Sequence, residues 1–369
     1  METIGLNWDD DKNILLLNPR WPKDVLKYFN SQFKLWNENH SEKGLIFIPT
    51  SGTTAKDLTD TKVVVLTKRA VLASAHSVGQ YFEFKKGDRV VQSLPVFHVG
   101  GLSQMARAHL WRQILFENSE KWDAQKFYRF LFENKITHAS LVPTQLYDLV
   151  SAKIKAPPSM KCLFLGGGIM GGSLRKAAQD LGWNPIMTYG STETSSMVGV
   201  KKNEGYQALP HAQFRVSEKG FLEIKSASLM SGYWNCKTNS LIEQAEDSWF
   251  TTQDLARKVG DEFEILGRGS DYAKISGEGV YLTRLQNILQ DCFLEVLPKL
   301  AADAVIGFLP SERRGQEVHM FSTRPQSELE GVLSCYNEKV LPFERIQGFH
   351  QVKEIPRTEL GKVRWQELK

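Results

Sequence analysis

The sequence lacks the paired cysteines that a small zinc site or a dithiol redox centre requires. Its four cysteines, Cys162, Cys236, Cys292 and Cys335, form no C-x-x-C spacing, which removes both readings. Their scatter suits a reducing compartment. Long apolar runs are lacking too, since none reaches the roughly 18 residues of a membrane helix. The first residues, METIGLNWDDDKN, are acidic and do not follow the basic-then-apolar order of a signal peptide. A cytoplasmic location without a membrane span is the expectation. Neither sign of charge dominates. Lys and Arg total 46 against 42 for Asp and Glu, a net of +4. Such an excess is too small to point to nucleic acid, and it suits an anionic small ligand without demanding one. Internal repeats and low-complexity segments are absent, and nothing in the sequence excludes a homo-oligomer.

What is present is the material of a large soluble α/β protein. The 369 residues are 41% apolar and 24% charged, enough for two or three domains with a sizeable core. Residues 63–67, VVVLT, read as a buried strand, and KRAVLASAHSVGQYFEF places apolar residues at helical spacing. The alternation continues through DRVVQSLPVF, THASLVPTQLYDLVSAK (broken at Pro143), MKCLFLGGG, GSLRKAAQDLG and PIMTYGSTE. Strand following helix in this way predicts a layered α/β domain with much parallel sheet. After about Ser217 short alternating strands take over, and from Val280 a helix, strand, helix pattern predicts a small α+β domain. GRGSD, with two glycines around Arg268, is the expected joint, because glycine permits unusual backbone angles.

Four polar loops follow strands: TSGTT, FHVGG, LGGG and YGSTE. Ligands of α/β sheets sit beyond the carboxyl ends of the strands, so four such loops on one sheet would converge on one pocket. Thr50, Ser51, Gly52, Thr53 and Thr54 can cradle phosphate oxygens with hydroxyls and backbone N–H groups; an ordinary hairpin loop would use the same residues. In YGSTE, Tyr189 offers a ring for stacking, Gly190 a close backbone approach, Thr192 a phosphate donor and Glu193 a ligand for a hard cation. A capped turn ahead of a helix needs similar residue types. Gly166, Gly167 and Gly168 allow a flat group against a strand end or tight strand–helix packing; they lack the dinucleotide-binding spacing. His98 lies in a loop after a strand. Arg107 lies on a helix among apolar neighbours, where it needs an anion or a structural ion pair. Asp254 follows a short strand and can hold ribose hydroxyls or cap a turn. Lys362 projects beyond the glycine turn of PRTELGK, as many solvated terminal lysines do.

These pieces occur in a familiar order. TSGTT, YGSTE, TTQD, GRGSDYAKISGEG and PRTELGK resemble the ordered core motifs of the acyl-adenylate-forming superfamily, from about residue 46 to 369. SLPVFHVGGLSQMARAHLW, ASLVPTQL, ASLMSGYW, WFTTQDLA and SGEGV are most similar to the versions found in the o-succinylbenzoate–CoA ligases of menaquinone biosynthesis. The resemblance implies a large adenylate-forming domain over 1–267, with a shortened N-terminal part, and a small mobile domain over 268–369 hinged at Ser270. It implies an enzyme that takes a carboxylic acid, ATP with Mg2+, and coenzyme A. By the same resemblance Lys362, Thr192 and Glu193 are catalytic, with Glu193 also holding the metal. Thr50 to Thr54 hold the outer phosphates. Gly166 to Gly168, Tyr189, Gly190 and Ser191 frame the adenine, and Asp254 and Arg268 hold the ribose. His98, Gly100, Gly101 and Arg107 shape the acid pocket, and Lys274, Gly277 and Gly279 face coenzyme A. The sequence departs from the pattern at the phosphate loop: Ala55 stands where relatives have Gly, the following Pro is absent, and Lys62 comes late. Another acyl- or aryl-CoA ligase, and a degenerate nucleotide-binding relative, are the alternatives.

Overall fold

The computed structural model describes residues 6–50, 61–118, 120–168, 170–245, 247–358 and 361–368. Its largest sheet has eleven strands. A parallel block runs in the spatial order Ile114–Glu117, Arg89–Gln92, His138–Leu141, Cys162–Leu165, Pro185–Ser191. Six antiparallel strands continue it: Ser196–Lys201, Tyr206–Ala208, Glu262–Arg268, Phe250–Val259, Phe221–Ser226 and Ala212–Val216. A second sheet orders Ile14–Leu15, Leu45–Pro49, Val63–Thr67, Gly232–Asn235 and Ser240–Glu243.

The predicted VVVLT strand is buried on both faces along Val63, Val64, Val65 and Leu66, because it has a covered layer on each side. The helix Lys68–Tyr81 begins where the Thr67 hydroxyl accepts from the Ala70 N–H at 2.9 Å, a side-chain cap for an otherwise unpaired donor. Its Val71 and Ala75 pack on Ile46, Ile48, Val64 and Leu66 of the second sheet. Its Val78 packs with Phe164, Met197 and Val200 of the first. This helix therefore lies between the two sheets and binds them into layers. The helix Val99–Trp111 runs beside it, and the Trp111 Nε1–H donates to the Ala75 carbonyl at 3.1 Å.

Two expectations are corrected here. The loop after Leu45–Pro49 belongs to the second sheet, because that strand pairs antiparallel with Val63–Thr67; only three of the four polar loops follow strands of the parallel block. TSGTT thus lies in a hairpin connection, and its residues 51–54 fall outside the described residues. Asp254 does not follow a short strand. It sits within the ten-residue strand Phe250–Val259, opposite Arg268. The helix Lys23–Asn39, packed through Val25, Phe29 and Trp36, has no counterpart in the motif reading.

The C-terminal part builds its own core. The helix Leu282–Val296 buries Leu282, Leu285, Leu289, Cys292 and Phe293 along one stripe, against Ile306, Val318 and Met320 of a three-stranded sheet and Tyr336 of the helix Glu330–Lys339. Large-to-small truncation of a fully buried leucine costs about 2–5 kcal/mol, from lost transfer energy and the cavity left behind. Leu285 is completely buried, so Leu285→Ala should lower the denaturant midpoint by that amount of stability in equilibrium unfolding. A change below about 0.5 kcal/mol would mean that this stripe is not a packed core.

Candidate active site

Three chain segments bring the central polar groups together. The strand Pro185–Ser191 carries Tyr189 and runs into the short turn Thr192–Thr194, which presents Glu193. That turn is held by the Ser191 N–H donating to the Thr194 hydroxyl at 2.9 Å and by the Met230 N–H donating to the Glu193 carbonyl at 2.8 Å. Gly190 is required there, since a Cβ would lie 1.7 Å from the Ser196 carbonyl oxygen of the adjoining strand. The Tyr189 hydroxyl donates to Asp254 Oδ2 at 2.6 Å, and Arg268 Nε lies 3.8 Å from Asp254 Oδ1. Burial and the neighbouring Asp254 carboxylate raise the Tyr189 pKa well above the phenol range, so it stays a donor.

Glu193 has a partner that motif reading missed. The Tyr233 hydroxyl donates to Glu193 Oε1 at 3.0 Å, and the Lys62 ammonium lies 4.2 Å from the centre of the Tyr233 ring. The late Lys62 of the phosphate loop is thereby brought next to the Glu193 turn through an aromatic face. Tyr233 stands in SGYW, whose only sequence signal was its place in a resemblance. Among the described residues the second Glu193 oxygen accepts no hydrogen bond, and the Ser191 Oγ is buried without a partner. Among the described residues no group of three His, Cys, Asp or Glu side chains is arranged to hold a metal ion by itself. One available carboxylate oxygen fits Mg2+, which keeps waters and substrate phosphates as its other ligands.

Lys362 reaches this cluster from the C-terminus. Its turn is fixed by the Thr358 N–H donating to the Lys362 carbonyl at 2.8 Å, the Lys362 N–H to the Thr358 hydroxyl at 3.1 Å, and Arg357 Nη1 to the Gly361 carbonyl at 3.0 Å. The side chain keeps contact with solvent, yet the protein packed round its ammonium lowers its pKa. The Arg268 charge adds to that shift, while Asp254, Glu193 and Asp271 oppose it. These charges place the Lys362 ammonium in one electrostatic neighbourhood with Glu193, Asp254 and Arg268. Two contacts dock the C-terminal part beside it. The Tyr147 hydroxyl donates to the Pro298 carbonyl at 2.6 Å, and the Asp291 carboxylate abuts Gly171 at the start of the helix Gly172–Asp180. Ser270 is exposed in the turn Gly269–Asp271 and donates to Asp271 at 3.2 Å.

The remaining predicted residues lie nearby or deeper. The Thr50 hydroxyl and N–H both donate to the Lys62 carbonyl, at 3.1 and 2.7 Å. Gly166, Gly167 and Gly168 follow the strand Cys162–Leu165, with the Gly166 N–H on the Leu141 carbonyl at 3.2 Å. His98 precedes the helix Val99–Trp111, its ring against Phe97, and Gly100 and Gly101 form the first turn. Gly101 fits under the chain at 94–95, where a Cβ would meet the Pro95 carbonyl at 2.1 Å. Arg107 lies on the same helix about 12 Å further along. It is buried, and it donates to the Ser103 and Ser140 hydroxyls, each at 3.3 Å, with Phe164 under its guanidinium at 5.5 Å. No carboxylate pairs with it among the described residues, and burial alone pushes its pKa down to about 10. The crevice beside it, walled by Phe84, Gln113, His138 and Phe164, is too narrow to admit water.

The profile of the AMP-binding enzymes matches residues 10–234. The chain belongs to this family. It is 27% identical to the indoleacetate–CoA ligase of Aromatoleum aromaticum over 87% of this chain and 66% of that protein. It is also 27% identical to a 2-succinylbenzoate–CoA ligase of Bacillus cereus, over 94% of this chain and 74% of that protein. The chain thus spans about two thirds to three quarters of the length of these relatives. Its fold matches that of o-succinylbenzoate CoA synthetase from Bacillus subtilis in complex with its acyl-adenylate intermediate, with a TM-score of 0.74, 22% identity and coverage of 87% of this chain and 68% of that one. The same synthetase with ATP and a magnesium ion gives a TM-score of 0.73 at 21% identity, covering 88% and 69%. This AMP-binding enzyme has a large layered α/β part and a small α+β part, as its motif order implied. No described helix is long and apolar enough to cross a membrane.

The lowered pKa of Lys362 has a direct consequence. Its charged form is disfavoured relative to a solvated lysine, so it loses its proton at lower pH than the surface lysines. In the unliganded protein, NMR titration of reductively methylated lysines should show one resonance, absent in Lys362→Arg, with a midpoint below the rest. If the Lys362 signal titrates with the bulk lysines, its ammonium is not crowded in the way described.

Proposed function

We propose that this AMP-binding enzyme activates a carboxylic acid with ATP and transfers the acyl group to coenzyme A, and that the acid is o-succinylbenzoate. The observation that carries the reading is the Lys362 ammonium set in one charged cluster with Glu193, Asp254 and Arg268. Two anions, a carboxylate and a triphosphate, do not meet without cations arranged between them.

In the first half-reaction a carboxylate oxygen of the acid attacks the α-phosphorus. A new O–P bond forms, and the bond to the β-phosphate bridging oxygen breaks to release pyrophosphate. Lys362 lies between the attacking oxygen and the α-phosphate and neutralises both. Thr192 donates to the same phosphate. Asp254, already fixed by the Tyr189 hydroxyl and Arg268, accepts from the ribose. Tyr189 with Gly190 and Ser191, and Gly166, Gly167 and Gly168, frame the adenine. Thr50, with Ser51, Gly52, Thr53 and Thr54, wraps the departing phosphates. Bound Mg2+ supplies charge neutralisation at the phosphates. Glu193 holds it, and Tyr233 orients Glu193.

In the second half-reaction the coenzyme A sulfur attacks the acyl carbon; a C–S bond forms as the C–O bond to AMP breaks. The separate C-terminal core supports a domain division at 267/268. Ser270 is then the hinge, and rotation about it withdraws Lys362 and turns the face holding Lys274, Gly277 and Gly279 toward the acyl group. His98, Gly100 and Gly101 shape the acid pocket. Arg107 takes the second carboxylate of the diacid, an assignment supported by its burial without a carboxylate partner. The crevice must open for the two to meet. A second reading, an arylacetate ligase with Arg107 purely structural, is favoured by the indoleacetate relative.

Lys362→Ala should slow ATP–pyrophosphate exchange by roughly 100-fold or more with an unchanged melting temperature; full exchange in that variant would remove the mechanism. A panel of o-succinylbenzoate, indoleacetate, benzoate and fatty acids, assayed for thioester formation, separates the two acids. With o-succinylbenzoate, Arg107→Ala should raise KM about 10-fold or more and leave KM for a monocarboxylate unmoved. An unmoved KM for the diacid makes Arg107 structural.

A further inference from the structure

Lys362 sits near the tip of a short hairpin in the C-terminal part. The two legs of the hairpin pair through a bridge of Arg357 with Val363, and the Arg364 N–H donates to the Pro356 carbonyl at 2.8 Å. A side chain at such a tip is aimed only as well as the legs are held. Each leg has its own anchor. On the incoming leg, Arg357 Nη2 donates to the Ala302 carbonyl at 3.2 Å. On the outgoing leg, Trp365 lies three residues beyond Lys362. Its ring rests on the three-stranded sheet of Ala304–Ser311, Gly315–Ser322 and Ile346–Gln351.

The seat has room for one large ring. Gly307 is buried beneath it, and a Cβ there would lie 2.7 Å from Trp365 Cζ3 and 2.9 Å from Cη2. The φ of Gly307 is not positive, so close approach of the indole, and not backbone freedom, calls for glycine at this place in the strand. Phe321, on the neighbouring strand, meets the indole edge-on, with centroids 6.0 Å apart and planes at 73°. That is a favoured arrangement of two aromatic rings. Phe321 in turn stacks on His350 of the third strand at 4.8 Å, so the wall of the slot is itself backed by a ring. Trp365 packs with the C-terminal core, whereas the charges round Lys362 belong to other segments.

We infer that Trp365, seated over Gly307, is the positioning residue for Lys362: it holds the outgoing leg so that the ammonium stands where the attacking carboxylate and the α-phosphate meet. The inference rests on the ligase reading above. Trp365 then matters for the first half-reaction, which uses Lys362, and not for the second, from which Lys362 is withdrawn.

The test uses the full chain and compares Trp365→Ala, Trp365→Phe, Gly307→Ala and the Gly307→Ala/Trp365→Ala double variant. Trp365→Ala should lower kcat for ATP–pyrophosphate exchange roughly 10-fold or more, the cost of a small displacement in a positioned site, with KM for ATP within about twofold of the parent. Thioester formation from preformed acyl-adenylate and coenzyme A should also stay within about twofold. Trp365→Phe keeps a ring in the slot and should recover most of the exchange. Gly307→Ala crowds the ring out and should reproduce part of the Trp365→Ala loss, yet add nothing in the double variant. Unchanged exchange in Trp365→Ala overturns the inference. So does an equal loss in both half-reactions, which makes Trp365 merely structural, or a full further loss from Gly307→Ala in the double variant. If Trp365→Ala loses its cooperative melting transition, Gly307→Ala replaces it in the same measurements. If no acid supports exchange, the ligase reading fails separately. The Lys362 resonance of the reductively methylated protein still decides the positioning: in Trp365→Ala its titration midpoint should rise toward that of the surface lysines, and an unmoved midpoint overturns the inference.

Discussion

The charge cluster around Lys362 is the constraint on which the rest of the structure turns. An ammonium that loses much of its hydration is costly unless carboxylates stand near it. Here Glu193, Asp254 and Asp271 do so, while Arg268 pushes back. The balance lowers the Lys362 pKa, and no carboxylate among the described residues stands within ion-pair distance of it. A site of this kind is suited to receive more negative charge than the protein itself supplies. Phosphates and a carboxylate are the natural recipients in an AMP-binding enzyme.

The cluster draws on two parts of the fold. Lys362 belongs to a segment whose own packing is with the small three-stranded sheet: Trp365 lies edge-on to Phe321. The cluster's acids belong to the large sheet and its turns. Polar and apolar contacts bridge the parts: the Tyr147 hydroxyl donates to the Pro298 carbonyl, and Leu294 and Ala301 pack against the core of the large part. Ser270 is exposed in the turn between the two cores.

Much of this was legible in the primary structure. Strand and helix positions from 63 to 191 follow from apolar spacing and from turn residues such as Pro143, which opens the helix Pro143–Ser151. The motif order identified the family because each motif is short and local. The less legible parts depend on pairing across long separations. Asp254 reads as a turn residue because FTTQDLA is polar, yet its strand continues through it by pairing with Arg268. The loop at Thr50 reads as one of four on a sheet, yet antiparallel pairing with Val63–Thr67 puts its strand in another.

The sequence by itself determined the fold class, the order of the elements and the residue types available for an adenylate site, because periodicity, capping and turn chemistry act over a few neighbours. Tertiary structure alone decided that Tyr233 meets Glu193, that Tyr189 shares Asp254 with Arg268, and that Arg107 lies deep among hydroxyls. Those neighbours are tens of residues apart, and only the packing of layers brings them within range of one another.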